Sequence, residues 1–170
     1  MADKLTVDAP PALSEFRFEK RRAEAVVTLV SGETAKGAFF LGARSSLHEG
    51  LESIGDMLNA ETGFFPFEIQ AGDGKRTVLY NRAHLITVHI FDEEASREPG
   101  YGIARKWDVS VLLTNGKRVN GVVRVYRPEG RDRLSDWTRQ PEAFRYIETD
   151  PATFIVNAAH IVAVTEVPRK

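Results

Sequence analysis

Two stretches of the chain alternate apolar and polar residues and turn back at a glycine. They read "VTLVSGETAKGAFFL" (27–41) and "VLLTNGKRVNGVVRVY" (111–126), and their apolar residues recur at every second position. That period is typical of half-buried β-strands, so each stretch predicts a β-hairpin. The pair Asn115-Gly116 predicts a type I′ turn for the second hairpin, and Ser31-Gly32 is a weaker form of the same signal.

The two hairpins belong to a longer internal repeat. Three blocks of sequence match in the same order, at shifts of 84, 80 and 76 positions. The shift falls by four twice, and each fall is a difference in loop length, which loops tolerate well. The pattern therefore predicts a duplicated unit. Its matched pairs include Gly32 and Gly116, Gly37 and Gly121, Asp56 and Asp136, Phe64 and Phe144, Asn81 and Asn157, and His84 and His160.

The sequence pattern of each unit predicts five short strands and little helix. We therefore expect an all-β fold of two tandem small barrels of the Sm or SH3 type. Residues 11–22 predict a short N-terminal helix capped by Ser14, with a strand as the alternative. The expected divisions are an N-terminal extension at 1–24, a first repeat at 25–90, a charged linker at 91–106 and a second repeat at 107–170.

The order of these motifs resembles the Sm-like (LSm-type) family. An apolar strand, two glycines five residues apart, an Asp-containing turn and a closing "apolar–N–x–x–H–apolar" pair of strands recur in both units, so the resemblance covers most of the chain. It implies small barrels, pairing of edge strands into rings, and a pocket for an unpaired RNA base. The implied pocket positions are Asp56, Asn59, Asn81 and Arg82 in the first unit, and Asp136, Arg139, Asn157 and Ala158 in the second.

The chain departs from the family pattern at the pocket positions. Asp56 and Asn59 are three residues apart instead of four, and Arg139 stands where the family has Asn. The closing hairpins lack the basic residue followed by glycine. The alternative interpretation is structural: the aspartates and asparagines hold backbone groups in turns or at helix N-termini. The repeated histidines, His84 and His160, are then packing or surface residues.

The segment 126–146 is the strongest binding candidate. It combines arginines with aromatic residues, which suits phosphate contact and base stacking and equally suits a protein interface. Internal pairing with acidic neighbours is the third interpretation. The net charge of −1 conceals a balance of −5 over residues 1–100 and +4 over residues 101–170. The candidate residues in this segment are Arg131, Arg133, Asp136, Trp137 and Arg139.

Composition and missing motifs narrow the function classes. The chain has no cysteine, which excludes disulfides and thiolate chemistry, and it has no apolar run long enough for a membrane span. Its first residues predict no secretory signal, and we expect a cytoplasmic protein. We find no catalytic motif and expect no enzyme activity, cofactor or metal. The sequence favours a binding or assembly module, through protein–protein interaction or self-assembly, and RNA or single-stranded nucleic-acid binding is the alternative.

Overall fold

The computed structural model describes residues 20–168, which form one antiparallel sheet and two short helices. The helices are α1 (Ile54–Ala60) and α2 (Leu134–Thr138). The chain is thus predominantly β, as the sequence predicts. The ten strands are β1 (Arg21–Leu29), β2 (Thr34–Leu41), β3 (Phe64–Ala71), β4 (Gly74–Asn81), β5 (Leu85–Ile90), β6 (Arg105–Leu113), β7 (Arg118–Val125), β8 (Phe144–Glu148), β9 (Thr153–Asn157) and β10 (Ile161–Glu166).

The strand order shows the same arrangement twice. Across the sheet the order is β10-β6-β7-β8-β9-β5-β1-β2-β3-β4. The order within the second half is that of the first half, β5-β1-β2-β3-β4, with each strand replaced by its sequence equivalent. The two halves meet where β9 pairs with β5. The sheet is open, because within residues 20–168 β4 pairs only with β3 and β10 pairs only with β6.

Backbone hydrogen bonds outside the strands also repeat at matched positions. The Val30 N–H donates to the carbonyl of His84 at 2.9 Å, and the Thr114 N–H donates to the carbonyl of His160 at the same distance. A second pair, from Arg82 to Gly63 and from Ala158 to Ala143, measures 2.8 and 2.7 Å. Matched sequence positions therefore occupy matched structural positions.

Both hairpins form, but the predicted type I′ turn is wrong. A type I′ turn needs positive φ at both central residues, and among the described residues only glycines have positive φ. The Gly116 N–H donates to the carbonyl of Leu113, and Gly116 has φ of 80°. The turn is therefore a type I turn followed by a glycine bulge, in which Asn115 instead accepts a hydrogen bond from the Lys117 N–H.

The second glycine of each hairpin allows a close approach between strands. A Cβ atom at Gly37 would lie 2.0 Å from the carbonyl oxygen of Glu68, and one at Gly121 would lie 2.3 Å from that of Glu148. Both distances are far below van der Waals contact. The repeated glycine spacing thus reflects the packing of β2 on β3 and of β7 on β8.

The helices α1 and α2 stand where the sequence predicts only loops with an acidic position. Ser53 begins α1 as part of a capping box: its hydroxyl accepts from the Asp56 N–H, and the Asp56 carboxylate accepts from the Ser53 N–H. The predicted helix at 11–22 lies outside the described residues up to position 19. Its last two residues, Arg21 and Arg22, belong to β1 instead.

Two apolar clusters form the core, and each draws on both halves. The first contains Ile155 from β9 among residues of the first half, and the second contains Ile86 from β5 among residues of the second half. The paired strands β5 and β9 therefore exchange side chains between the clusters. Among the described residues, no helix has the length and apolar character that a membrane span requires.

The strands run slightly beyond the expected repeat boundaries. The first strand begins at Arg21, four residues before position 25, and β6 begins at Arg105, within the expected linker. The linker is also more than a solvated connection. It contains a short 3-10 turn, Glu94–Arg97, whose Glu94 and Ala95 are buried.

Candidate functional site

The junction between the halves, here called the inner junction, consists of β5 and β9 and the residues that flank them. The two strands run antiparallel, with Thr87 opposite Val156 and Ile90 opposite Thr153. Five of the six residues of β5 are buried. The inner junction therefore shows how an edge strand of one half is covered by an edge strand of the other.

Asn157 and His160 fix the register of the inner junction. The Asn157 side chain is buried, and its Oδ1 accepts from the Ala159 N–H at 3.0 Å. Its Nδ2 donates across the junction to the carbonyls of Arg82 and Leu85, at 3.2 and 2.9 Å. The His160 Nε2 lies 2.7 Å from the carbonyl of Ala83. These contacts hold the end of β9 at a defined place beside the start of β5.

Asn59 on α1 joins the halves on the other side of the junction. Its Nδ2 donates to the carbonyl of Phe144, and its Oδ1 accepts from the Phe144 N–H, both at 2.9 Å. The amide thereby pairs with the start of β8 as a neighbouring strand would. The function of Asn59 in this structure is to attach α1 to the second half.

A buried carboxylate in the linker clamps the inner junction. Glu94 accepts from the N–H groups of Ile54 and Gly55, at 2.9 and 3.1 Å, and from the hydroxyl of Tyr146 at 3.0 Å. Burial raises the pKa of Glu94, although these donors oppose the shift. Burial also raises the pKa of Tyr146 well above its ordinary value, so Tyr146 remains a donor. Glu94 thus ties the linker to α1 and to β8 together.

The two strands at the ends of the sheet, β4 and β10, expose apolar side chains whose sequence equivalents are buried at the inner junction. No residue of β10 is buried, whereas its equivalent β5 is almost entirely buried. Each half therefore has one apolar edge that is covered inside the chain and one that is open. The matched pairs, with exposed fractions, are Leu79 (64%) and Ile155 (0%), Val162 (59%) and Ile86 (1%), and Phe64 (64%) and Phe144 (5%).

Asn81 and His84 occupy the positions on the open edge that Asn157 and His160 occupy at the inner junction. The Asn81 Oδ1 accepts from the Ala83 N–H at 3.0 Å, as Asn157 does from Ala159. Within residues 20–168 the Nδ2 of Asn81 has no hydrogen-bond partner. The His84 side chain is exposed and likewise makes no hydrogen bond inside the described chain.

Asp56 is buried inside the capping box and bonded to a histidine. Besides the Ser53 N–H, its carboxylate contacts the Nε2 of His48 at 2.9 Å. The hydrogen bond from the ring of His48 to the Glu49 carbonyl, and then the Asp56 carboxylate, raise the pKa of His48 against a smaller opposing effect of desolvation. Asp56 therefore supports α1 and the preceding loop, in line with the structural interpretation of this residue.

Arg82 and Arg145 are buried, and each donates hydrogen bonds to a backbone carbonyl of one helix. The Arg82 guanidinium donates to the carbonyls of Phe64 and Met57, at 2.7 and 3.1 Å. Arg145 donates to the carbonyl of Trp137 at 2.8 Å, and Trp137 is the sequence equivalent of Met57. Burial lowers the pKa of both arginines. Arg82 is thus turned towards protein carbonyls, although the resemblance places it in a ligand pocket.

The candidates on the arginine-rich segment divide into buried and exposed residues. Trp137 lies in the second core cluster, 2% exposed, so its indole is covered in this structure. The Asp136 carboxylate accepts from the Arg133 N–H at 2.9 Å, as Asp56 does from Ser53. Arg131, Arg133 and Arg139 are exposed. The structure therefore does not bring Trp137 together with these arginines as one surface.

A half-open cavity of about 350 Å³ lies between α1, the linker and the second half. The residues that line it include Tyr101, Tyr126, Glu98 and Glu142. Burial and the nearby Asp56 raise the pKa of Glu98. Among the described residues, no group of three or more histidines and carboxylates could hold a metal ion.

Sequence reasoning missed the residues that distinguish covered edges from open ones. Glu94 stands in a charged linker whose composition resembles a solvated loop. Leu79 and Val162 look like ordinary strand residues. Comparing the two copies position by position could have identified Leu79 and Val162, because their equivalents Ile155 and Ile86 are equally apolar. The repeat itself was therefore the available signal.

No protein-family model matches the chain, and neither the curated proteins nor the solved structures contain a significant match.

Proposed function

We propose that this protein is a non-catalytic assembly module that self-associates through its two outer strands, β4 and β10. Each half is an Sm-like unit in this proposal, and the tandem chain supplies one open edge of each kind. The partner is protein, a cofactor plays no part, and the site of action is the cytoplasm. The observation that carries the proposal is the contrast between Leu79 and Val162, which are exposed, and their buried equivalents Ile155 and Ile86.

Unpaired edge strands favour this function on physical grounds. An edge strand presents free N–H and C=O groups that can pair with another strand, and proteins that remain monomeric usually protect such edges. Here β4 and β10 add apolar side chains to the free backbone. Association would remove that apolar area from water and satisfy the backbone groups at the same time.

The test compares the mass of the wild-type chain with that of edge variants by light scattering. We expect the wild type to exceed its monomer mass of 19.0 kDa at micromolar concentration. Leu79→Lys places a charge on the open edge and should return the chain to 19.0 kDa. Lys36→Ala, at an exposed position of β2, is the matched control and should assemble like the wild type. A wild type that stays monomeric at every concentration contradicts the proposal.

Nucleic-acid binding remains the second candidate because the side chains of Arg127, Arg131 and Arg139 are exposed and unpaired within the described residues. Guanidinium groups of this kind bind phosphates, and the affinity for single-stranded RNA should then fall steeply as salt rises. We expect the triple alanine variant to lose such binding. No retention of RNA by the wild type at low salt eliminates this candidate.

A further inference from the structure

From the inner junction we infer that self-association is head to tail: β4 of one copy pairs with β10 of the next, and Asn81 and His84 set the register. This inference rests on the proposed function and names the partner of each edge. The inner junction pairs a strand of the β4 type, which is β9, with a strand of the β10 type, which is β5. The chain thus contains one example of the junction that its open edges would form.

The repeat converts the inner register into an outer one. We replace β9 by its equivalent β4, which lies 76 positions earlier in the sequence, and β5 by its equivalent β10, which lies 76 positions later. The pair Val156 and Thr87 then becomes Tyr80 opposite Ala163 of the second copy. The same operation places Leu79 opposite Val164 and Thr77 opposite Glu166. In this register Leu79 and Val162 take the positions of Ile155 and Ile86, which are fully buried. Both exposed apolar side chains are then covered by one contact.

Asn81 would complete its hydrogen bonds in that register. The equivalents of the carbonyls that Asn157 reaches, those of Arg82 and Leu85, are the carbonyls of Ala158 and Ile161 in the second copy. The Oδ1 of Asn81 is already used within its own turn, so only its amide group is available for this contact. The side chain is therefore preorganised to donate outwards.

His84 and the charges at the far end of β4 support the same register. By the precedent of His160 with Ala83, the ring of His84 would reach the carbonyl of Ala159 in the second copy. Glu166 would lie opposite Thr77 and diagonal to Lys75 on the same face of the sheet, and the side chain of Lys75 is exposed. Opposite charges on neighbouring strands favour this alignment. Pairing of two strands of the β4 type, or of two strands of the β10 type, has no precedent in the part of the chain that the structure describes.

A complementation experiment separates head-to-tail pairing from pairing of like edges. Leu79→Lys blocks β4 and leaves β10 free, whereas Val162→Lys blocks β10 and leaves β4 free. Both positions are exposed in the single chain, so neither change should disturb folding. We expect each variant alone to be monomeric, and an equimolar mixture to form a heterodimer of twice the 19.0 kDa chain mass.

The failure of this inference differs from the failure of the proposed function. If each blocked variant dimerises alone and the mixture adds nothing, edges of the same kind pair, and the head-to-tail inference is wrong while assembly stands. If the wild type itself stays monomeric, the proposed function fails as well. If the wild type assembles but neither lysine changes its mass, assembly uses another surface and both proposals are overturned.

Asn81→Asp tests the register contact alone. Aspartate keeps the oxygen that accepts from Ala83 but loses the amide donor, so the fold should be retained. Facing the carbonyls of Ala158 and Ile161, it should raise the dissociation constant of the mixed heterodimer about tenfold, when introduced into the Val162→Lys chain. Asn120→Asp in that chain, an exposed position of β7, is the charge-matched control and should leave the constant unchanged. Equal constants for both variants would contradict the role of Asn81.

Discussion

Strands β5 and β10 are sequence equivalents with opposite surroundings. Both follow an Asn–x–x–His turn, both pair with the first strand of their half, and both have a register shift near their start. Yet β5 is almost entirely buried, and no residue of β10 is buried. The difference lies in the second neighbour, because β9 covers β5 and no strand of the described chain covers β10. Similar local sequence thus yields a core strand or an edge strand according to its partner.

The inner junction also has connections that the proposed contact between β4 of one copy and β10 of the next would lack. We call that contact the outer junction. Glu94 in the linker clamps α1 to β8, and within residues 20–168 no equivalent linker segment lies beside α2. Asn59 both donates to and accepts from Phe144, whereas its equivalent Arg139 can only donate. We therefore expect outer junctions to be weaker and reversible, and the inner junction to be permanent.

Of all the matched variants, alanine substitutions at Ile155 and at its equivalent Leu79 should differ most in their effect on stability. Ile155→Ala removes a fully buried side chain from the first core cluster and should lower the free energy of unfolding by about 2–5 kcal/mol. Leu79→Ala, its exposed counterpart, should change that free energy by less than about 0.5 kcal/mol. Urea unfolding at dilute, monomeric concentration measures both. Similar losses for the two variants would contradict the distinction between covered and open edges.

Gly55 on α1 and its equivalent Ser135 on α2 should also differ in how much an alanine substitution destabilises the chain. A Cβ at Gly55 would lie 2.2 Å from the hydroxyl of Tyr146, so Gly55→Ala should displace this ring. The displacement should cost about 1–3 kcal/mol of stability. Ser135→Ala, at an exposed position of α2, should cost less than about 0.5 kcal/mol. Thermal unfolding of the two variants measures the difference, and a neutral Gly55→Ala would show that Tyr146 does not pack there.

Asn59 and Arg139 provide a third matched pair. Asn59→Ala leaves the N–H and C=O groups of Phe144 without their partners and should destabilise the chain by about 1–2 kcal/mol. Arg139→Ala removes an exposed side chain that makes no hydrogen bond within residues 20–168. It should leave the unfolding midpoint in urea unchanged. Equal midpoints for both variants would remove Asn59 from the inner junction.

The pH dependence of stability should report the Glu94 clamp. Because the folded-state pKa of Glu94 is raised, the folded chain retains this proton at pH values where the unfolded chain has released it. Stability should therefore fall as pH rises from the ordinary carboxyl pKa through the raised one. Glu94→Gln should flatten this part of the curve, and the exposed Glu93→Gln should not. Parallel curves for the wild type and Glu94→Gln would contradict this assignment.

The sequence predicts strands and their repetition well because these features depend on local periods. Alternation places β1, β2, β6 and β7, and the glycine spacing predicts both hairpins. It does not predict α1, whose seven residues are too few for a helical period, nor the burial of Trp137 among arginines. It also does not predict that β9 pairs with β5, since pairing between distant segments depends on the whole sheet. The asparagines at 81 and 157 match in sequence and both pair with a strand of their own half, yet within residues 20–168 only Asn157 also reaches carbonyls of the other half.

Amide hydrogen exchange at increasing protein concentration tests the central claim most directly. We predict that the N–H groups on the open sides of β4 and β10 exchange quickly in dilute solution and become protected together as concentration rises, while the paired N–H groups of β5 and β9 stay protected throughout. If the exchange rates of these N–H groups do not change with protein concentration, no second copy covers β4 and β10, and the assembly function is contradicted.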